Sequence, residues 1–320
     1  MTPRPLLAVL VAAGIALTAC SSVSPTPLPP TPSPTQSQSS GPAPTPVTCD
    51  NATTSFAPDG PLPAPGSLPA GSTMAAIRER GMLIVGVSAD SYLLGSRNPL
   101  TGVIEGFDID LATAIGEAIL GPNPHLQLRV ITAAQRIPVL QSHEVDIVVR
   151  NMTMTCDRWN KINFSAVYYQ SGQKILVRKG SPVTDLAGLT GERVCAPAGT
   201  TSMDNLVRLA PQAVPVPRSG HTACLVAFQQ GEVDAITGDD TVLAGLAAQD
   251  PFAVVLPGPA FTQEPYGVGI PQDRVDLARF VNAVLEQMRA DGRWQRSYDR
   301  WFGRTLGPGT QPIPIYGRAP

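Results

Sequence analysis

Short apolar segments that predict buried strands alternate along this chain with segments of helical periodicity. Met82–Ser88 has the sequence MLIVGVS, and the stretch after it repeats Leu111, Ile115 and Ile119 every four residues, with Asp108 as the expected N-cap. The pattern continues through most of the remaining chain. Because strands separated by helices form largely parallel sheets, the sequence predicts an α/β protein.

Two strand segments resemble each other, which gives a weak internal repeat. VDIVV at 145–149 follows LQSHE, and VDAIT at 233–237 follows FQQGE. Two α/β sheets that follow one another along the chain predict a protein with two lobes. Ligands of open α/β sheets bind at the carboxyl ends of strands. The residues directly after these two strands are therefore the first candidates for a binding site.

Composition excludes several classes of protein. The 320 residues carry a net charge of −2, and a nucleic-acid binder usually needs a basic face. No apolar run of 18 residues follows the N-terminal region, which excludes a polytopic membrane protein. Fourteen of the 34 prolines lie in 21–70. Without the first 70 residues, about 250 remain, enough for a two-lobed protein.

The N-terminal region predicts export and anchoring. Residues 1–19 have the apolar centre of a signal peptide, and LTAC at Leu17–Cys20 resembles the lipobox of bacterial lipoproteins. The resemblance implies acylation of Cys20, palmitate included. We expect 20–72 to be a Pro/Ser/Thr-rich tether. An ordinary signal peptide and a glycosylated stalk are the alternatives.

Four cysteines remain after Cys20, an even number that favours disulfides in an exported protein. They allow three pairings. Cys195 and Cys224 belong to neighbouring elements of one predicted lobe, whereas Cys49 lies at the end of the proline-rich tract. We expect the pairs Cys195–Cys224 and Cys49–Cys156. Without CxxC or HExxH motifs, no metal site and no cofactor are expected.

Three motifs carry a family resemblance. They are RNMTMTCDRWNKINFSAVYY at Arg150–Tyr169, APAGTTSMDNL at Ala196–Leu206 and GDDTVLAG at Gly238–Gly245. Their order and spacing resemble extracytoplasmic solute-binding proteins of polar amino-acid ABC transporters, most of all the glutamate/aspartate/glutamine-binding branch. The resemblance covers about Ala75 to Gly303.

The resemblance implies a type II periplasmic-binding-protein clamshell, with two mixed sheets flanked by helices. Lobe one would comprise 73–168 and 266–306, lobe two 172–262, and a C-terminal tail 307–320. Two crossovers, near Tyr168–Ser171 and Gln263–Pro265, would form a two-strand hinge.

The resemblance also implies a ligand site. Arg158 would bind the α-carboxylate of an amino acid, and Asp239 would accept hydrogen bonds from its ammonium group. Thr153 and Asn151 match positions that bind the α-amino and α-carboxylate groups. Thr200, next to a glycine and a helix start, would bind a carboxylate.

Side-chain specificity needs a further charge. Arg136 matches the position that binds the side-chain carboxylate in glutamate/aspartate-binding relatives, and Arg97 lies near another such contact. Arg158, Arg136 and Asp239 together give a site of charge +1, which suits glutamate or aspartate at −1. Arg150 departs from the small residue of many relatives, and whether its side chain enters the cleft stays open.

The expected function is that of a monomeric, lipid-anchored receptor on the extracytoplasmic face of the cell membrane. It would deliver glutamate or aspartate, or alternatively glutamine or asparagine, to an ABC permease. A sensor that presents the bound state to a membrane signalling partner is the main alternative. No GxSxG motif, paired cleft carboxylates or metal set indicates an enzyme.

Overall fold

The structure, a computed structural model, describes residues 47–319. The predicted signal peptide, Cys20 and the first part of the predicted tether lie outside this range. The strands in the described range are β1 (Thr54–Ser55), β2 (Leu83–Val87), β3 (Asp90–Ser91), β4 (Gly95–Arg97), β5 (Ile104–Glu105), β6 (Leu126–Val130), β7 (Ile147–Val148), β8 (Asn163–Phe164), β9 (Tyr169–Arg178), β10 (Arg193–Pro197), β11 (Val214–Arg218), β12 (Ala235–Asp239), β13 (Ala253–Val255), β14 (Thr262–Tyr266), β15 (Gly269–Ile270) and β16 (Ile315–Tyr316).

The α-helices of the same range are α1 (Thr73–Arg80), α2 (Phe107–Leu120), α3 (Arg136–Gln141), α4 (Cys156–Trp159), α5 (Thr201–Leu209), α6 (His221–Gln229), α7 (Asp240–Gln249), α8 (Val275–Ala290), α9 (Arg293–Trp301) and α10 (Gly303–Leu306). Between residues 47 and 319 we find no helix with the length and apolar character that a membrane span requires.

Lobe one is built on a five-stranded sheet of order β6-β2-β7-β15-β8. β2 runs parallel to β6 and β7, whereas β15 runs antiparallel to β7 and β8. The small antiparallel sheet β3-β4-β5 follows the carboxyl end of β2.

Lobe two is built on a six-stranded sheet of order β11-β10-β12-β9-β13, with β14 also paired to β9. β10 is parallel to β11 and β12, and β9 is antiparallel to β12. Both main sheets are therefore mixed, and the predicted α/β clamshell fold is confirmed.

Two antiparallel strands join the lobes. β9 starts at Tyr169 and β14 ends at Tyr266, and these two residues are register partners. The chain thus leaves lobe one on β9 and returns on β14.

Asp108 does not cap α2, contrary to the sequence prediction. Gly106 occupies the N-cap position with φ 146°, and the helix begins at Phe107. The buried Asp108 carboxylate instead accepts hydrogen bonds from the Asn151 N–H at 2.9 Å and from the Tyr168 hydroxyl at 2.9 Å. Because these buried donors bind the Asp108 carboxylate, it is not available to the N–H groups at the start of α2, and Gly106 occupies the N-cap position instead.

The predicted tether and tail boundaries need correction, because both segments pack on lobe one. Phe56 is only 2% exposed and belongs to the core of the lobe, although the tether is predicted to reach residue 72. In the predicted tail, Gln311 is buried and β16 pairs in parallel with β1. Burial of an aromatic ring and sheet pairing both oppose a free linker.

The cysteine pairing in the structure is the predicted one. Cys49 is bonded to Cys156 at the start of α4, and Cys195 of β10 is bonded to Cys224 of α6. The first bond joins the N-terminal segment to lobe one, and the second lies in the core of lobe two.

Candidate ligand-binding site

A narrow cavity lies between the lobes, where the carboxyl ends of strands from both sheets meet. Its volume of about 20 Å³ is little more than a single water molecule needs, so a larger ligand requires the lobes to move apart. The lining side chains include two cations, one carboxylate and several hydroxyl groups. The lining residues are Ser91, Ala133, Arg136, Arg150, Asn151, Thr153, Pro197, Thr200, Thr201, Ser202, Gly220, His221 and Asp239.

The lobes touch around this cavity. Thr222 of lobe two donates a 2.7 Å hydrogen bond to the carbonyl of Asp90 in lobe one, and the Thr153 and Thr201 hydroxyls are 3.3 Å apart. Gly199, with φ 71°, packs so closely on lobe one that a Cβ atom there would lie 3.1 Å from the nearest backbone carbon. A ligand can therefore enter only when the lobes part.

Asp239 supplies the only carboxylate on the cavity wall among the lining residues. It ends β12, and its Oδ2 accepts a 2.6 Å hydrogen bond from the Tyr266 hydroxyl. Its Oδ1 is buried without a hydrogen-bond partner. Burial, reinforced by the charge of Glu264, raises the pKa of Asp239 to about 8. The residue is thus poised to gain a cationic partner.

Arg136 begins α3 and reaches the cavity from lobe one. Its Nε donates to the carbonyl of Ala133 at 2.9 Å and its Nη1 to the carbonyl of Asn151 at 3.0 Å. Burial, followed by the nearby charge of Arg158, lowers the pKa of Arg136. No carboxylate of the described chain forms an ion pair with this guanidinium.

Arg150, the residue on which the sequence left the question open, does line the cavity. It lies two residues after the end of β7 and is only 6% exposed. Its Nε has no hydrogen-bond partner in the described chain. Burial lowers the pKa of Arg150, while Asp90 and Asp108 oppose that change. A buried guanidinium donor without a partner is costly, so this position favours an anionic ligand.

Arg158 lies behind the cavity wall. It belongs to α4, whose N-cap Thr155 accepts a hydrogen bond from the Arg158 N–H. Its Nη1 donates to the carbonyl of Thr153 at 2.7 Å. Arg158 is buried but is not among the residues that line the cavity. The structure therefore brings it to the site through its contact with Thr153.

Asn151 and Thr200 line the cavity from opposite lobes. Asn151 has a φ of 34°, and its Oδ1 is buried without a partner. Thr200 is the N-cap of α5, and its hydroxyl donates to the carbonyl of Pro197 while accepting from the Met203 N–H. The N-terminus of α5 thus faces the cavity, where its free N–H groups favour an anion.

Arg97 does not reach the site, contrary to the sequence hypothesis. It is exposed on β4, and its Nη1 donates to the carbonyl of Gly102. Local turn carbonyls lie within reach of this guanidinium, and solvent hydrates the rest of it.

His221 is a cavity residue that the sequence reasoning missed. Its Nε2 lies 3.2 Å from the carbonyl oxygen of Thr237, and its ring covers Gly238. Burial lowers the pKa of His221 to about 4, which leaves the imidazole neutral near pH 7. The signal was available, because His221 follows the carboxyl end of β11 at the same edge of the sheet as Thr200.

Comparison with known proteins places this geometry in a family. Residues 83–304 match the bacterial extracellular solute-binding proteins, family 3. The ABC transporter glutamine-binding protein of Bacillus subtilis (strain 168) is 38% identical over 231 residues, covering 72% of this chain and 84% of that protein. The glutamate-binding protein of Corynebacterium efficiens is 32% identical over 263 residues, covering 79% and 88%.

A solved structure agrees with these sequence matches. The solute receptor for L-cysteine of Neisseria gonorrhoeae superposes with a TM-score of 0.70 at 25% identity, covering 74% of this chain and 96% of that one. The region matched by the family includes both main sheets and every residue of the cavity wall. The chain therefore belongs to family 3 of the bacterial extracellular solute-binding proteins.

Proposed function

We propose that this protein is a receptor for a free amino acid with an acidic side chain, glutamate or aspartate. One observation carries the proposal. Three buried polar atoms around a single cavity lack partners, namely Arg150 Nε, Asn151 Oδ1 and Asp239 Oδ1. Buried polar groups are normally paired. The ammonium group of an acidic amino acid can donate to the two unpaired oxygens, and one of its carboxylates can accept from Arg150 Nε.

The ammonium group of the ligand binds Asp239, whose free Oδ1 accepts its hydrogen bond. The α-carboxylate binds between the N-terminus of α5 at Thr200 and the Thr153 segment, with Arg158 as the compensating charge. Both ligand charges then exchange water for opposite charges and hydrogen bonds, the condition for burying a zwitterion.

Charge balance favours the acidic side chain. Arg136 and Arg150 line the cavity with Asp239 as the only carboxylate, and His221 is neutral. The wall carries +1 when Asp239 is ionised, and Arg158 behind it adds a further positive charge. An acidic side chain compensates one of the two lining guanidinium groups, whereas the amide of glutamine compensates neither. The names of the glutamine- and glutamate-binding relatives support a ligand of this size.

The ligand is tested by calorimetry with all twenty amino acids on the chain after the signal peptide, carrying Cys20→Ser so that it stays in solution. Glutamate or aspartate should bind best. Arg150→Met should weaken glutamate more than glutamine, because the lost donor faces the side-chain carboxylate. Arg97→Met removes the same charge at an exposed position and should change neither affinity. Lack of binding to both acidic amino acids would refute the proposal.

We also propose that the protein is anchored to the membrane by a lipid on Cys20 and that it delivers its ligand to an ABC permease. The LTAC sequence supports acylation of Cys20, and the family supports delivery of the ligand to an ABC permease. Labelled palmitate should enter the wild-type chain but not Cys20→Ala. Uptake of labelled glutamate should fall when the protein is deleted. Unchanged uptake with altered regulation would favour the sensor instead.

A further inference from the structure

Arg158 is carried by an element that cannot hold its own shape. Helix α4 has only four residues, Cys156–Trp159, a single turn. An isolated helix of this length is unstable in water, because helix nucleation is costly. Besides its own hydrogen bond to Thr153, the direction of the Arg158 side chain therefore depends on what packs on the two ends of this turn.

The N-terminal segment holds both ends of α4. Cys49 is covalently bonded to Cys156, the first residue of the helix. At the last residue, the Trp159 Nε1–H donates a 2.7 Å hydrogen bond to the carbonyl of Ala52. The Phe56 ring packs edge-on against Trp159 with a centroid distance of 6.0 Å.

The C-terminal segment contacts the same tryptophan. The Arg318 guanidinium carbon lies 3.7 Å from the centroid of the Trp159 ring, within the range of a cation–π contact. Arg318 also donates to the carbonyls of Thr54 at 2.8 Å and Asn51 at 2.6 Å. Pairing of β1 with β16 holds the two segments together.

Both segments lie outside residues 83–304, the region shared with the family. We propose that residues 49–56 and 315–318, the terminal strap, position Arg158 for the α-carboxylate of the ligand. Cys49 and Arg318 of the strap, together with Trp159 of α4, are the positioning residues. This inference rests on the proposed function of Arg158.

The strap acts by preorganisation. With α4 held, Arg158 keeps its hydrogen bond to Thr153 and needs no ordering when the ligand arrives. Because every α-amino acid has an α-carboxylate, loss of the strap should weaken all bound amino acids by the same factor. The glutamate-to-glutamine preference should stay unchanged.

Arg318→Met tests the strap, and Arg279→Met is its matched control. Arg279 donates to the carbonyl of Ala57, pairs with Asp59 and lies 5.9 Å from the Phe56 ring, so its polar contacts within the described residues are to the N-terminal segment and not to α4. In calorimetry, Arg318→Met should weaken every bound amino acid about tenfold, and Arg279→Met less than about twofold. The double variant Cys49→Ser/Cys156→Ser should behave like Arg318→Met.

An Arg158→Lys background separates positioning from general destabilisation. If the strap acts through Arg158, adding Arg318→Met to a chain that already carries Arg158→Lys should lower its affinity by less than about twofold. A full additional tenfold loss, or unchanged affinity in the folded Arg318→Met chain, would overturn the inference.

Hydrogen exchange of the ligand-free chain distinguishes failure of the strap from failure of the proposed function. Arg318→Met should speed exchange of the Arg158 and Trp159 amides, whichever ligand the protein binds. Unchanged exchange would overturn the strap alone. Absence of amino-acid binding by the wild type, with faster exchange in Arg318→Met, would reject the ligand role of Arg158 and with it the effect on affinity.

Discussion

Ligand binding should release a proton from Asp239. In the ligand-free protein, burial and the charge of Glu264 raise the pKa of this carboxyl to about 8, and Asp240 acts in the same direction. The Tyr266 hydroxyl and Arg136 oppose the rise. The ammonium group of an amino acid needs the ionised form as its partner. Below pH 8 most of the protein must therefore lose this proton to bind.

The size of the effect follows from the pKa. With a pKa of about 8, the ionised fraction of Asp239 and hence the affinity should rise about tenfold from pH 6 to 7 and about fivefold from pH 7 to 8. Above pH 8 the dependence should level off. In Asp239→Asn the slope should disappear, together with most of the affinity, because the ammonium group loses its counter-charge.

The stability of the ligand-free protein should fall as pH rises, whereas its affinity for the ligand should rise. The folded pKa of about 8 exceeds the ordinary 3.8, so the folded state retains a proton that the unfolded state has lost across pH 4 to 8. Stability therefore falls as pH rises through this window. At pH 7 the shift corresponds to an upper value of about 4 kcal/mol, since each pKa unit is about 1.4 kcal/mol. Asp239→Asn should unfold at a higher temperature at pH 7, and the gain should vanish near pH 4.

Calorimetry at pH 6, 7 and 8, in two buffers of different ionisation enthalpy, measures both affinity and released protons. Thermal unfolding of the ligand-free chain, with and without Asp239→Asn, supplies the stability comparison. A wild-type Kd that stays constant from pH 6 to 8, with equal binding enthalpy in both buffers, would refute a protonated Asp239 in the ligand-free protein, and unchanged affinity in Asp239→Asn would refute its contact with the ammonium group.

Three further substitutions test other parts of the site. Gly238→Ala would place a Cβ in steric overlap with the His221 ring, so the ring must leave its place on the cavity wall, and calorimetry should show an affinity for glutamate lower by at least about tenfold. Arg136→Met should weaken glutamate more than glutamine, and equal losses would argue against contact with the side-chain carboxylate. Asp108→Ala leaves the Asn151 N–H and Tyr168 hydroxyl without their buried acceptor and should lower the urea-measured stability by about 2 kcal/mol.

Sequence patterns predict the parts of the site that depend on strand ends. Thr153, Thr200 and Asp239 follow buried apolar strands, and parallel sheets bring such ends to one edge. The same rule includes Arg150, directly after the predicted strand at 145–149, and it extends to His221, which follows β11. The pattern of strands along the sequence is sufficient to predict these site residues, because a parallel sheet brings the carboxyl ends of its strands together.

Long-range competition for polar groups could not be predicted in this way. Asp108 has the sequence context of a helix cap, but its carboxylate binds donors 43 and 60 residues away. Arg97 satisfies its charge on a local turn instead of the cavity. The packing of Phe56 and Arg318 on Trp159 joins residues over 100 positions apart. Each of these contacts depends on which acceptor or aromatic ring the tertiary fold brings closest to the side chain.

The unpaired atoms of the cavity connect affinity with lobe closure. Arg150 Nε, Asn151 Oδ1 and Asp239 Oδ1 are all buried and unpaired with the lobes in contact, and each such atom costs about 1–3 kcal/mol. Opening the lobes returns these atoms to water, so the empty protein should favour the open form. A ligand that supplies the missing partners removes this cost only when both lobes contact it. The population then shifts to the closed form, because the atoms that recognise the ligand are also the atoms that oppose closure without it.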